Sequence, residues 1–509
     1  MKEEIGIVGI GIMGFNACLK NIRIMILVVV CYCMVLTGVT AKTFQINTYE
    51  TFMSALSDIS SGDSIVIAGG IYAVPSTREE ANTIRISVSG SSTANIFIGT
   101  ENGAEAVFDF GWSDNSKSIA GASVSSVGFD ITGDYLYFKN ITITKAGYQG
   151  AYVSGKHITF DNCVFRDNWN SGLEINKGGS YITVLNCDAY RNFDSSYKNG
   201  GMADGFASKQ TQGPGNRFIG CRAWENSDDG YDTYDSPEFV TFEKCWAFRN
   251  GVNIWKYDGF DGNGNGFKVG GNFRIEKNVL KNCVAFGNVN KGFDQNNNSG
   301  GITVLNCIAY SNGINYGFVN DVADGEKHIF KNNIALDGLV SIKDANSIQS
   351  NNSWNSGFSV GKTDFISLDT SLATIRRNAD GSLPQTDLFK LNGSSKLIDA
   401  GIDVGLPFSG SAPDIGAFEV VTIDSRIVKM RFSGNRKTCR TLAHQWVINL
   451  DKSTKQIHYS VYNVNGTRVY TGMNSKESEL VIDTKNLPAG KYLIVCHSNG
   501  EKIVFSVLK

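Results

Sequence analysis

Asn162-Cys163-Val164-Phe165, Asn186-Cys187-Asp188-Ala189-Tyr190, Gly220-Cys221-Arg222-Ala223-Trp224, Lys244-Cys245-Trp246-Ala247-Phe248, Asn282-Cys283-Val284-Ala285-Phe286 and Asn306-Cys307-Ile308-Ala309-Tyr310 are versions of one unit. A seventh, Asn332-Asn333-Ile334-Ala335-Leu336, replaces the cysteine. Nearest copies stand 24 residues apart, the length of one coil of a parallel β-helix, a solenoid whose coils stack their strands in register. The cysteines agree with such a stack. Six of the eleven occupy one repeat position. In-register neighbours about 4.8 Å apart form a column of small buried side chains more naturally than a set of disulfides. With no paired C-x-x-C, thiolate metal binding is disfavoured as well. The flanking Asn162, Asn186, Asn282 and Asn306 are expected to stack as an amide ladder at a turn.

Composition supports an all-β reading. The 509-residue chain has 56 Gly against 7 Pro, with Val, Ile, Phe and Tyr in short runs, which suits short strands and tight turns. A formal net charge of −2 gives no broad basic field, so no nucleic-acid partner is expected. Near the start, Gly9-Ile10-Gly11-Ile12-Met13-Gly14 fits the dinucleotide-binding pattern, but an apolar stretch follows where a βαβ unit is required. Lys20 and Arg23, the apolar run Ile24–Val39 and the small residues Val39-Thr40-Ala41 instead read as a secretory signal peptide over residues 1–41. Lys42–Ile46 is then a strand. Phe52, Ala55, Leu56 and Ile59 mark an amphipathic helix over Thr48–Ile59, placed to cap the open end of the stack.

A second marker recurs once per coil, a glycine followed by an apolar or aromatic residue: Gly172-Leu173, Gly205-Phe206, Gly230-Tyr231, Gly266-Phe267, Gly292-Phe293 and Gly317-Phe318. It falls 9 residues after Cys163, Cys221 and Cys283 and 10 after Cys307, but 18 after Cys187 and 21 after Cys245. Two alternate coils therefore carry insertions on one flank, where protruding loops wall a cleft. If the residue after the glycine points inward, its neighbours point outward. Asp204 and Asp229 then share one outward position just before the glycine. Asp232 stands one coil below Lys268, a rise of about 4.8 Å, and Asp228 sits at the turn beside Asp229. Crowded carboxylates repel unless a cation neutralises them. Asp oxygens in Gly-rich turns suit Ca2+ better than Zn2+, which lacks a His cluster here. The bland alternative, a solvated acidic turn with Lys268 as a counter-charge, is disfavoured by the shared register and the flanking loops. The loop Trp255–Asp261 offers aromatic residues for sugar stacking.

The order ADGF (203–206), SDDGYD (227–232) and GNGFKVGG (264–271) resembles polysaccharide lyase family 9, the pectate lyases. The resemblance covers roughly Lys42–Val420 and implies a right-handed parallel β-helix. It further implies that Asp204, Asp228, Asp229 and Asp232 bind a catalytic Ca2+ and that Lys268 is the Brønsted base. The reaction implied is β-elimination of an acidic polysaccharide, pectate or homogalacturonan. Neutralising the uronate carboxylate acidifies C5, whose proton Lys268 takes. A β-helix glycoside hydrolase using paired aspartates and a non-catalytic carbohydrate-binding β-helix are the alternatives. Lys268 beside the acidic cluster argues against the second, and a monomer is expected.

The repeat closes near Asp399–Val420. Residues 421–456 read as a linker with some strand. From 457 to 509 the pattern changes to alternating strands with turns at Asn465-Gly466, Pro488-Ala489-Gly490 and Asn499-Gly500, a small β-sandwich. VYNVNGTRVYTG (461–472) and LPAGKYLI (487–494) resemble the C-terminal sorting domain of type IX secretion cargo. That resemblance implies contact with the secretion machinery and a secreted or cell-surface bacterial protein.

Overall fold

A computed structural model describes residues 41–420 except 76–82, 102, 112–126, 196–197 and 358. In the C-terminal part it describes 439–442, 445–449, 457–463, 468–474, 479–485, 487–488, 490–498 and 501–508. The signal-peptide reading and the Gly9–Gly14 motif fall on residues 1–40, outside the described residues.

Each coil gives one short strand to each of three parallel sheets, which among the described residues hold twelve, ten and ten strands. Register is kept coil after coil: Phe218 pairs Phe242, which pairs Leu280, then Val304, then Phe330. All five are buried, because side chains in register repeat one inward position up the stack. The chain is thus an all-β, right-handed parallel β-helix.

The cysteine column is as read. Cys163, Cys187, Cys221, Cys245, Cys283 and Cys307 are buried and unbridged. Cys187 Sγ donates to the Leu185 carbonyl (3.2 Å) and Cys221 Sγ to that of Val184 (3.2 Å). Burial pushes the thiols of Cys187, Cys221, Cys245 and Cys283 well above their ordinary pKa, so they stay protonated.

The amide ladder needs correcting. Asn162, Asn186, Asn282 and Asn306 share a left-handed backbone, φ 50–55°, which Asn adopts more readily than most residues. Their side chains diverge: Asn162 bonds Asn140 (2.7 Å) whereas Asn282 bonds the Ala417 carbonyl (3.2 Å). The continuous ladder lies five residues after each cysteine, at Asn168, Asn192, Asn226, Asn250, Asn288 and Asn312, with each Nδ2 donating to the next Oδ1 at 2.8–3.1 Å. All six are buried. A buried amide needs every partner, and stacking identical amides supplies them.

The helix Tyr49–Asp58 is capped by Thr48 with Thr51 and buries Phe52 and Ala55. The Phe52 ring lies 4.8 Å from Phe108 and 6.4 Å from Phe129, which belong to two different sheets. The helix therefore closes the first coils. Phe365, Leu388, Phe389, Leu397 and Ile415 cover the outer face of the third sheet at Trp224, Phe248, Phe286 and Ile308. Arg222 and Arg377 both bond Asp188 there, at 2.7 and 2.6 Å, so the buried charge is paired.

The chain divides into two units, Met1–Val420 and Val421–Lys509. Among its described residues the second contains a three-stranded and a four-stranded antiparallel sheet around Trp446, Ile448, Tyr459, Val461, Ile482 and Ile494. Two of its strands, Cys439–Leu442 and Gln445–Asn449, lie inside 421–456. That stretch, read as a linker with some strand, thus holds strand at its described residues. Trp446 and Ile448 alternate into the core, which ties Gln445–Asn449 into the antiparallel module.

Candidate functional site

The glycine marker has a steric cause. A Cβ on Gly205 would lie 2.7 Å from the Gly230 carbonyl oxygen and 2.8 Å from Asn226 Nδ2; Gly230 and Gly266 meet the same obstacles one coil on. Only glycine lets the coils approach this closely. The residues on either side are thereby set in register, and Phe206, Tyr231 and Phe267 fill the interior.

On the outer face Asp232 is the strand partner of Lys268. Lys268 Nζ lies 3.0 Å from Asp229 Oδ2 and 3.5 Å from Asp232 Oδ1, and 5.5 Å over the Tyr234 ring. Asp204, Asp229 and Asp232 are buried and each offers an oxygen within 4.8 Å of the others. Asp228 stands at the edge of this set, its Oδ1 accepting from the Asn263 backbone (3.0 Å). The structure brings the five predicted residues to one patch, with three carboxylates at its centre.

Burial pushes the Asp204 carboxyl up to about 7 and raises Asp228 and Asp229, the other carboxylates adding to the shift. Asp232 goes the other way: burial is outweighed by Lys268 and Lys209, and its pKa falls. Lys268 is itself raised, because its desolvation is exceeded by the four aspartates. Such a cluster is short of positive charge.

The donor set fits a hard cation. Asn265 gives both its backbone N–H (2.9 Å) and Nδ2 (2.8 Å) to Asp229 Oδ1, leaving buried Oδ2 without a hydrogen-bond partner. Although Lys268 Nζ is near that oxygen, the contact is an ion pair without hydrogen-bond alignment. Oxygen ligands aimed at one point, with a free lone pair among them, match a divalent ion such as Ca2+.

Two site residues escaped the sequence reading. Lys209, 7% exposed, reaches Asp204 Oδ2 at 2.7 Å and Asp232 Oδ2 at 3.2 Å. Its signal was strand alternation carried one step further, from Ala207 to Lys209. Asn265, which orients Asp229, sits in the marker position immediately before Gly266 and could be found by extending the Asp204 column upward.

The insertions do meet on one flank. Asp261 N–H donates to the Asn199 carbonyl (2.8 Å) and Tyr257 Oη to that of Ser195 (3.1 Å). The aromatic residues of the second loop serve this junction: Trp255, Tyr257 and Phe260 gather on Phe193, the Trp255 ring stacked at 4.5 Å.

A model described as "Pel9A-like, right handed beta helix region" matches residues 36–355. The chain belongs to this family. Pectate lyase L of Dickeya dadantii (strain 3937) is 53% identical over 374 residues, 73% of this chain and 86% of that one. Pectate lyase L of Paenibacillus polymyxa (strain SC2) is 31% identical over 69% of this chain and 79% of its own length. Among solved structures, pectate lyase Pel9A has a TM-score of 0.71 at 50% identity, covering 75% of this chain and 97% of that one. A rhamnogalacturonan lyase has a TM-score of 0.60 at 26% identity, covering 69% and 97%. A second model, "Secretion system C-terminal sorting domain", matches residues 444–509. Both resemblances read from the sequence are borne out, and the sorting domain marks a secreted or cell-surface bacterial protein.

Proposed function

We propose that the protein is a calcium-dependent pectate lyase that cleaves 4-linked galacturonan by β-elimination, with Lys268 as the Brønsted base. That it is a polysaccharide lyase rests on its family. The choice of pectate rests on the 53% identical relative named for that activity. The assignment of Lys268 rests on one observation: its ammonium is the group that faces Asp229 Oδ2 and Asp232 Oδ1 from the coil above.

Asp204, Asp229 and Asp232 would hold the ion, with Asp228 at the rim. When bound, Ca2+ neutralises the substrate carboxylate, which acidifies C5, and offsets the aspartates that hold Lys268 protonated. Lys268, neutral, takes the C5 proton; the C5 electron pair forms the C4–C5 double bond and the C4–O4 bond breaks, O4 leaving to take up a proton. Asn265 and the Tyr234 backbone N–H, 3.0 Å from Asp232 Oδ1, fix the carboxylates before substrate arrives. All these groups come from one chain, so a monomer suffices.

Polygalacturonate incubated with the protein and Ca2+ is expected to yield unsaturated products with ultraviolet absorbance. Excess EDTA should abolish them, and Lys268→Ala should lower kcat by about 10³-fold or more, as loss of a positioned base does. Saturated products would assign the site to a hydrolase. Robust elimination by Lys268→Ala would remove Lys268 from its role.

A further inference from the structure

Lys209 is a buried lysine that the elimination does not use. It leaves the strand Phe206–Ser208, on the outward face it shares with Ala207. Ala207 is the register partner of Asp232 on one side and Glu174 on the other, and its methyl group puts no bulk between those two carboxylates. The ammonium instead reaches back along its own coil to Asp204 Oδ2 (2.7 Å) and up to Asp232 Oδ2 (3.2 Å). Ser171 Oγ gives Asp204 Oδ2 a second bond at 3.0 Å. A lysine this buried is expelled from water at a cost that only close carboxylates offset. Here the carboxylates concerned are two of the three whose oxygens converge.

The division of contacts between the two lysines is informative. Lys268 takes Asp229 and Asp232, and Lys209 takes Asp204 and Asp232. Asp229 Oδ2, buried and 3.0 Å from Lys268 Nζ, makes no hydrogen bond, so its lone pairs stay available to a further cation. We infer that Lys209 is the site's resident counter-cation: it holds Asp204 and Asp232 in the ligand arrangement before metal arrives and thereby weakens the grip of those aspartates on a divalent ion. It is a positioning residue, and the inference rests on the calcium reading above.

Removing its charge has opposite effects on the two states. Without metal, three buried carboxylates are left with Lys268 alone, and the folded protein loses a paired buried charge. With Ca2+, the ion no longer shares Asp204 and Asp232 with an ammonium that repels it, and binding tightens. Lys209→Met tests both, with Ca2+ titrated calorimetrically into EDTA-stripped full-length protein and melting followed in EDTA and in Ca2+. We expect Ca2+ to bind about tenfold tighter or more than to the parent, with a lower melting temperature in EDTA and a larger rise on adding Ca2+. Lys209→Arg, which keeps the charge, should stay near the parent. Lys209→Gln, whose amide still donates to Asp204 but is neutral, should follow the Met variant and covers the case in which Met does not fold. Unchanged or weaker Ca2+ binding in both neutral variants, with the parent binding normally, overturns the role of Lys209 and leaves the calcium site standing. Failure of the parent itself to bind Ca2+ overturns the calcium reading and this inference with it.

Discussion

His328 is fully buried, and its place in the stack explains its chemistry. Asn216 Oδ1 accepts the Ile182 N–H (2.9 Å), Asn278 Oδ1 that of Val240 (2.7 Å), and His328 Nδ1 that of Ile302 (3.2 Å). A histidine here does the work of an asparagine, and as an acceptor it must be neutral at Nδ1. Burial lowers its pKa from 6.5 to about 4. The unfolded chain takes up a proton near pH 6.5 that the folded chain refuses until about pH 4, so stability falls as pH falls through that window and is unaffected above it. His328→Asn keeps the acceptor and removes the titration. It should retain about 1–3 kcal/mol that the parent loses between pH 6.5 and 4, read from denaturant midpoints across that range. The same scale shows where sequence reading stops. Asp204, Asp229, Asp232 and Lys268 were legible because a glycine with a steric reason fixes their register. Lys209 was not, since its contact depends on how far a long side chain reaches past Ala207, which register alone does not give. The stacking of Trp255 on Phe193 was not legible either, because an aromatic residue in a loop carries no mark of the ring it packs against.

At the scale of elements, the asparagine ladder sets the turn that delivers the chain into the site strands. Asn250 donates to the Ala223 carbonyl (3.2 Å) and to Asn288 Oδ1 (2.9 Å), and accepts from both the backbone and the Nδ2 of Asn226 (3.1 and 3.0 Å). It also lies against Gly230, next to Asp229. Asn250→Leu would remove four hydrogen bonds made with three buried neighbours and leave the Asn226 N–H without its acceptor, and is expected to cost about 2–4 kcal/mol, visible as a lower denaturant midpoint. Because the disturbed turn leads to Asp228 and Asp229, calcium affinity should drop in the same variant. This ladder was written in the sequence as plainly as the cysteines, one Asn five residues after each. The asparagines just before the cysteines drew the prediction instead, and their shared feature proves to be a positive φ. Both columns are Asn for different physical reasons, one for backbone conformation and one for amide stacking, and composition cannot separate them.

The whole molecule consists of two units with separate cores, Phe52 through Phe330 and the third-sheet cover in one and Trp446 through Val507 in the other. A chain ending at Val420 should therefore keep its lyase activity and its melting transition while failing to be retained or processed by the export machinery. A lost transition would show that the antiparallel unit stabilises the helix. The 24-residue period made the solenoid legible at this scale, and the change to strict alternation marked the second unit. The strands Cys439–Leu442 and Gln445–Asn449 were harder to assign to it, because the third strand of their sheet, Glu479–Asp483, lies far along the chain. The cysteine column has a further consequence for a protein bound for the outside. Six thiols are sealed once the coils close, yet every one is open to pairing while the chain is unfolded, and compartments on an export route are oxidising. Coil closure and thiol oxidation thus compete for the same atoms. The column that makes the interior uniform also makes the timing of folding part of successful secretion.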